Sequence, residues 1–506
     1  MFGRLRRRSA SGLSRSRTVL QRLRYSPRRL RRLIDAGAFA DREILAYRED
    51  GFGMRLGEIL NAIRLAHGFG ARFAFAWPTT TNDGIRPAEE VFEAAFLAAH
   101  LLEEVDESAY SVVTTWSVAG VRALHRGGGR GIWSVSKRSL SHKQKFVLGT
   151  DGVRLPPLMT MREAFDLVRF CAELEAVRAA VDAHGPFDLA VHVRRGDIVA
   201  TGSAALGSSA LDGRHAHKAI PLPLLDAVIR RARSDGQHVV VIGNGVAPLA
   251  LQARYAGVSF ASDVVHPGGS RPELDDFRDF CLLARSRAVI SGGSAFAMVP
   301  TLIGGGRNLR VSDVLAVSDQ VDSIESFLDD EGCGLPQETM LACAHVLQLR
   351  GPDIDEDARL RVIAKGSRAD PSNPVLALTH AALLLRGGHR DQVERVLGAA
   401  MNRSAVDRLL SLMTSEAAEG GPPPIVALGG ALLRDTDWEL LAGATDLSPW
   451  IRLVIGLRMF ASGDRTAGAA LVDAATAGLE DPVAEAVRSV LDTGPQDGSA
   501  AADATS

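Results

Sequence analysis

An apolar run, Leu189-Ala190-Val191-His192-Val193, leads directly into Arg194, Arg195, Gly196 and Asp197. Charge at the carboxyl end of such a strand falls where open parallel sheets hold their ligands. A guanidinium presents a planar fork of donors that clamps a phosphate in bidentate fashion, so two adjacent arginines point to an anionic ligand. Gly196 permits a tight turn or a close backbone approach, and Asp197 could orient an arginine, a ribose hydroxyl or an acceptor hydroxyl. A structural Arg–Asp ion pair at a domain edge is the alternative, and spacing alone does not separate the two.

The elements around this segment alternate. Ile44 to Tyr47 reads as a strand, Asp50-Gly51-Phe52-Gly53 as a turn, and Leu56, Ile59, Leu60 and Ile63 follow the i, i+3, i+4, i+7 pattern of a helix that stops at Gly68 and Gly70. Phe73 to Trp77 is a second strand, Pro87 to Glu104 a helix, and Tyr110 to Trp116 a Val- and Thr-rich strand. From Ala119 to Met159 glycine, arginine, lysine and serine dominate, which predicts long loops. A helix over Met161–Ala183 opens a second series, with strands at Leu189–Val193, His238–Ile242, Val258–Ala261, Ala288–Ser291 and Leu309–Val311. The fold class expected is α/β, with two Rossmann-like halves enclosing a cleft at the carboxyl ends of their strands.

Beyond about Val321 the strand signals stop, and Ala/Leu-rich helical runs punctuated by Gly, Pro and Asp continue to Val490. Asp370 to Met401 resembles one tetratricopeptide-like helix pair, with a partial echo at Trp450–Ala475, although a generic helical bundle fits as well. The expected organisation is a basic tail over 1–35, an N-terminal α/β lobe over 36–183, a Rossmann-like lobe over 184–325, a helical domain over 335–490 and a disordered tail over 491–506.

Apolar residues at 46% and charged residues at 23% are enough to build cores and exclude global disorder. Four cysteines at unrelated spacings suggest neither a disulfide scaffold nor a zinc ribbon. No run approaches the about 18–20 apolar residues of a spanning helix, and the start lacks the apolar segment of a signal peptide, so a cytoplasmic protein is expected. Met1 to Arg32 holds twelve arginines and no acid, while the remainder carries 46 basic and 60 acidic residues. That head suits an acidic membrane surface or a nucleic acid, or it is a solvated leader.

His192-Val193-Arg194-Arg195-Gly196-Asp197 resembles the first signature of the GDP-fucose-dependent fucosyltransferases, the superfamily of the α1,2-, α1,6-, protein O- and nodulation fucosyltransferases. Gly51-Phe52-Gly53-Met54-Arg55-Leu56 is similar to that family's N-terminal glycine loop, and Asp279–Gly305, with Ser291-Gly292-Gly293-Ser294-Ala295-Phe296, to its third signature. The likeness runs from about Leu45 to Val311. It implies a GT-B-like pair of lobes and inverting transfer of fucose from GDP-fucose to a glycan, glycoconjugate or protein hydroxyl, with no metal or cofactor. In the family the second arginine of the signature contacts the β-phosphate, which corresponds to Arg195, with His192, Arg194 and Asp197 in the same pocket. Gly53 and Arg55 fall on the glycine loop, Ser294 with Ala295 and Phe296 on a diphosphate-binding helix start, and Asp276 or Asp279 toward guanine or ribose. A cationic clamp on the departing diphosphate would lower the barrier.

Departures from the pattern are Met54, where many relatives carry a polar residue, and Gly293-Ser294-Ala295 in place of a double serine. No carboxylate follows the first signature at the spacing of the α1,6-type base, which leaves Asp197, Glu58, Asp83 or an acceptor-assisted route. Glu58 reads equally as a favourable charge near a helix N-terminus. Gly51-x-Gly53-x-x-x-Gly57 has the wrong spacing for a dinucleotide fingerprint. The D-x-D of Asp353-Ile354-Asp355 falls in the helical region and reads as capping. Two alternatives stay open: a transferase for another nucleotide sugar, and a non-catalytic scaffold with a degenerate transferase lobe. The C-terminal helices would present an acceptor or recruit a protein partner.

Overall fold

The computed structural model describes residues 27–493 except 50, 79–85, 107–108, 113–123, 126–130, 134–157, 196–217, 244–245, 256, 265–271, 331–334, 350–353, 372, 402–404, 408, 411–431 and 480. The chain is mixed α/β with parallel sheets and divides into two compact units. The first comprises Met1–His192, Gln237–Gly243 and Gly257–Leu309; the second Val193–Gly236, Asn244–Ala256 and Arg310–Ser506.

In chain order the first unit begins with α1 (Pro27–Asp35), β1 (Glu43–Tyr47), α2 (Phe52–Phe69), β2 (Arg72–Ala76), α3 (Ala88–Val91), α4 (Ala94–His100), β3 (Tyr110–Val112), β4 (Gly131–Trp133), α5 (Met161–Leu167), α6 (Ala172–Ala183) and β5 (Phe187–His192). Next come α7 (Leu222–Ser234) of the second unit, β6 (Val239–Ile242) of the first, and α8 (Val246–Arg254) of the second. The first unit is completed by β7 (Ser259–Phe260), α9 (Ala261–Val264), α10 (Pro272–Ala284), β8 (Ser286–Ile290), α11 (Ala295–Gly304) and β9 (Arg307–Leu309).

Both sheets that the described residues form lie in the first unit, and every strand pairing within them is parallel. One has the order β2-β1-β4-β3, with Leu45 opposite both Ala74 and Trp133. The other has the order β7-β6-β5-β8-β9, with Val191 opposite Val241 and Ile290. In the second sheet the chain builds outward from β5 through β6 and β7, then returns to β5's other side with β8. The strand order therefore reverses between β5 and β8, the crevice where such sheets bind ligands. Central strands buried on both faces need continuous apolar sequence, which Val239-Val240-Val241-Ile242 supplies with all four residues buried.

Three sequence expectations need correction. The helix expected over Pro87–Glu104 is two short helices, α3 and α4, and the helix expected over Met161–Ala183 is also two, α5 and α6. Each breaks so that the two breaks can pair. Phe92 bridges antiparallel to Phe170, Glu93 N–H donates to the Arg169 carbonyl at 3.0 Å, and Cys171 N–H donates to the Val91 carbonyl at 3.0 Å. The exchange satisfies the backbone groups that the breaks expose and turns both phenylalanines into the core, where Phe170 lies 4.8 Å from Phe277. Within the stretch expected to be loop, Gly131–Trp133 forms β4, hydrogen-bonded on both sides by β1 and β3. Three residues are too few for a periodicity to announce them.

From Arg310 onward the described residues hold helices and no strand. After a 3-10 turn at Val311–Asp313 come α12 (Val317–Asp330), α13 (Pro336–Gln348), α14 (Glu356–Ala369), α15 (Pro374–Arg386), α16 (Arg390–Ala400), α17 (Asp435–Ala442), α18 (Pro449–Ala461), α19 (Arg465–Thr476) and α20 (Asp481–Thr493). Asp355 caps α14 by accepting the Ala358 N–H at 2.7 Å, as its placement before a helical run suggests. The pairs α15/α16 and α18/α19 are built alike. Asn373 and Ser448 cap a thirteen-residue helix that opens with proline, and Gly388 and Gly463 take positive φ (80° and 103°) in the turns that follow.

Helices α18 and α19 cross at Gly456 and Gly468. A Cβ on Gly468 would lie 2.5 Å from the Phe460 nitrogen and 2.7 Å from the Gly456 carbonyl oxygen, backbone atoms that cannot swing aside. Gly468→Ala should therefore cost about 2 kcal/mol, read as a lower urea midpoint; an unchanged midpoint would show that the helices separate without cost. Among the described residues, no helix is long and apolar enough to cross a membrane.

Candidate functional site

In the first unit, the crevice between β5 and β8 gathers several of the residues singled out in the sequence. His192 ends β5 with 8% of its surface exposed, and its ring stacks on Phe296, centroids 5.7 Å apart at 27°. Past β8, Gly293 adopts φ 84°, a left-handed conformation that lets the chain turn sharply into α11. Ser294 occupies the N-cap position, fully buried, and its carbonyl accepts the N–H groups of Ala297 and Met298. The opening turn of α11, where Ala295 and Phe296 lie, brings the positive end of the helix dipole to the carboxyl end of the sheet.

Gly53 reaches this cluster by packing. It lies in the first turn of α2, where an added Cβ would sit 2.9 Å from Phe296 Cδ2, and at Gly57 one would sit 2.7 Å from Val299 Cγ2. The two glycines, one turn apart, let α2 press against α11. Gly53 thus shapes the site through the Phe296 ring that His192 stacks on.

Arg55 and Glu58 lie on the same helix, each 2% exposed. Arg55 donates from Nη1 to the Pro78 carbonyl at 2.5 Å and from Nη2 to the Glu49 carbonyl at 3.2 Å, with its guanidinium carbon 5.2 Å from the Trp77 ring centroid. It braces the chain just past β1 and β2. Glu58 Oε2 stands 3.9 Å from Arg48 Nη1. In the second turn of α2, it is a buried partner of an arginine.

On α10, Asp276 is exposed while Asp279 is engaged by its neighbour: Arg278 donates to Asp279 Oδ1 from Nε at 3.0 Å and Nη2 at 2.8 Å. Burial raises the Asp279 carboxyl to about 6, against the lowering pull of Arg278. Arg278 also donates to Asp275 Oδ1 at 2.6 Å, so Asp275, which the sequence did not single out, shares this ion-pair set.

The arginines of the signature belong to the second unit, which the chain enters at Val193. Arg194 is half-buried and Arg195 is 9% exposed. Arg195 donates from Nε to Glu338 Oε1 at 2.7 Å and from Nη2 to Glu338 Oε2 at 3.0 Å, the fork-on-fork geometry of a bidentate pair. Its Nη2 also donates to the Ile220 carbonyl at 2.8 Å and its Nη1 to the Arg194 carbonyl at 3.0 Å. Glu338 is 4% exposed and accepts the Leu222 N–H at 2.8 Å as well. Four of the five N–H bonds on the Arg195 guanidinium are thereby committed within the protein.

Sequence reasoning missed Glu338. It lies 143 residues from Arg195, in the first turn of a helix opened by Pro336, and looks like an ordinary acidic residue favoured there by the helix dipole. Asp197, expected beside the arginines, and Asp83 lie outside the described residues.

No known family model matches the chain, and no curated protein matches it. Among solved structures, it is similar to the fucosyltransferase NodZ from Bradyrhizobium at 16% identity, over 52% of this chain and 93% of that one, with a TM-score of 0.35. NodZ α1,6-fucosyltransferase co-crystallised with GDP gives 15% identity, 52% and 92% coverage and a TM-score of 0.34. POFUT1 in complex with GDP gives 10%, 54% and 99%, with a TM-score of 0.27.

Proposed function

We propose that the chain is a glycosyltransferase that takes fucose from GDP-fucose and delivers it, with inversion, to a hydroxyl of a glycan, glycoconjugate or protein. One observation carries this: the segment resembling the fucosyltransferase signature begins at the carboxyl end of β5, at the reversal of strand order, where His192 stacks on the opening turn of α11. The two parallel sheets would serve as the cores of a GT-B pair of lobes, and the C-terminal helices would present the acceptor or a protein partner.

The contacts of Arg195 change its expected role. Its fork is spent on Glu338, so the donor diphosphate is assigned to Arg194, the other arginine of the signature. In the displacement, the acceptor oxygen bonds to the anomeric carbon as the bond to the β-phosphate oxygen breaks. GDP leaves with that electron pair, and the acceptor proton passes to a carboxylate. The charge growing on the diphosphate is stabilised by the guanidinium in the role a metal plays elsewhere. Glu58, buried against Arg48, is poorly placed to take the proton, so the base is assigned to Asp197, which belongs to the signature, with Asp83 as the other carboxylate candidate.

The test is release of the nucleoside diphosphate, GDP or UDP, from donor sugars in the presence of fucose-accepting glycans. GDP-fucose should be consumed and GDP-mannose and UDP-glucose left intact. Turnover of UDP-glucose alone would reassign the donor, and no turnover with intact GDP binding would favour the scaffold.

A further inference from the structure

We infer that Glu338, on the first turn of α13, is a positioning residue for donor binding: it holds Arg195 and so fixes the backbone that presents Arg194 to the diphosphate, a role that rests on the function proposed above. The contacts around the pair form a closed set. Arg195 Nη1 holds the carbonyl of Arg194, Nη2 holds that of Ile220, and Glu338 Oε2 receives the N–H of Leu222. One ion pair therefore pins three backbone points, and one of them is the peptide immediately after the arginine assigned to the phosphate.

Stability alone does not account for such a pair. Two charges removed from water pay a desolvation penalty that apolar residues of similar volume avoid, and buried pairs of this kind are often replaced without loss of stability. What an apolar replacement lacks is direction, because only the bidentate fork sets the angle and register of the segment it grips. The grip is also rigid at its far end. Met340, Leu341, Ala342, Cys343, Ala344, Val346 and Leu347 on α13 are buried, and the helix packs against α12 and α14. A group on a packed helix holds a site more closely than one on a loop. Through this pair the helical region would hold the segment that carries Arg194, which lies in the same unit.

Affinities for GDP and GMP, measured by calorimetry on the full chain, separate positioning from structure, because GMP lacks the β-phosphate. Glu338→Gln should weaken GDP binding roughly 10-fold while GMP binding stays within about twofold, so that the preference for GDP collapses. The double variant Arg195→Met/Glu338→Met should fold with wild-type thermal stability and show the same collapse. Restored GDP preference in the double variant, or a parallel loss of GDP and GMP affinity in Glu338→Gln, would reduce the pair to a structural role and overturn the inference. A wild-type chain that binds neither nucleotide would instead overturn the proposed function, and the inference with it.

Discussion

Arg194→Ala is expected to remove the thermal stabilisation that GDP should confer on the wild-type chain, with GDP affinity falling at least about 30-fold. Taking one member from a charge-assisted contact costs about 2–5 kcal/mol, since the remaining charge loses its partner in a shielded setting. The neighbouring arginine cannot substitute, because Glu338, Ile220 and Arg194 itself already accept four of its N–H bonds. Arg195→Ala should behave differently: it strands the Glu338 carboxylate in the interior and lowers the stability of the ligand-free chain. Thermal melts of both variants with and without GDP distinguish the cases. An Arg194→Ala chain that GDP still stabilises fully would return the phosphate contact to Arg195.

The second large effect is acid lability of the helical region. Burial lowers His345 and His380 from 6.5 to about 4 each, with Arg368 adding to the effect at His380. His345 Nε2 is hydrogen-bonded to Gln320 Oε1 at 2.8 Å, and Gln320 is itself 1% exposed, so the ring that burial keeps neutral sits in the contact between α12 and α13. The unfolded chain takes up these protons near pH 6.5 and the folded chain only near pH 4. Stability is therefore present above about pH 6.5 and is lost as the pH falls toward 4. By pH 5 each histidine should cost on the order of 2 kcal/mol. Urea unfolding followed by helical circular dichroism at pH 7 and 5 tests this against His345→Gln and His380→Gln, each of which should recover its share. Variants whose loss between the two pH values parallels the wild type would place the acid sensitivity elsewhere.

The strands were legible where burial demands a continuous apolar run, as in Val239–Ile242, or where such a run stops against charge, as at His192. Helix α2 was legible because its apolar residues repeat at helical spacing. The paired breaks at Phe92 and Phe170 were not, because each segment alone keeps helical character and only the partner makes breaking worthwhile. Long-range polar partners were hidden for the same reason: nothing near Glu338 marks it as the ligand of an arginine 143 residues away. Gly53 was read as part of a turn and of a glycine loop; in the structure it lies in the first turn of a helix, where a Cβ would meet Phe296. Residue types announce chemistry, whereas the choice between Arg194 and Arg195 depends on a neighbour that only the fold supplies.

The central claim, that this chain holds a guanine-nucleotide sugar, is tested most directly by thermal unfolding of the wild-type protein with GDP, GDP-fucose, UDP and ADP at matched concentrations. A ligand that binds only the folded state must stabilise it, by about 2.7 kcal/mol at a hundred times its dissociation constant. GDP and GDP-fucose should raise the melting temperature, and UDP and ADP should leave it unchanged. A well-folded chain that neither guanine nucleotide stabilises would contradict the account.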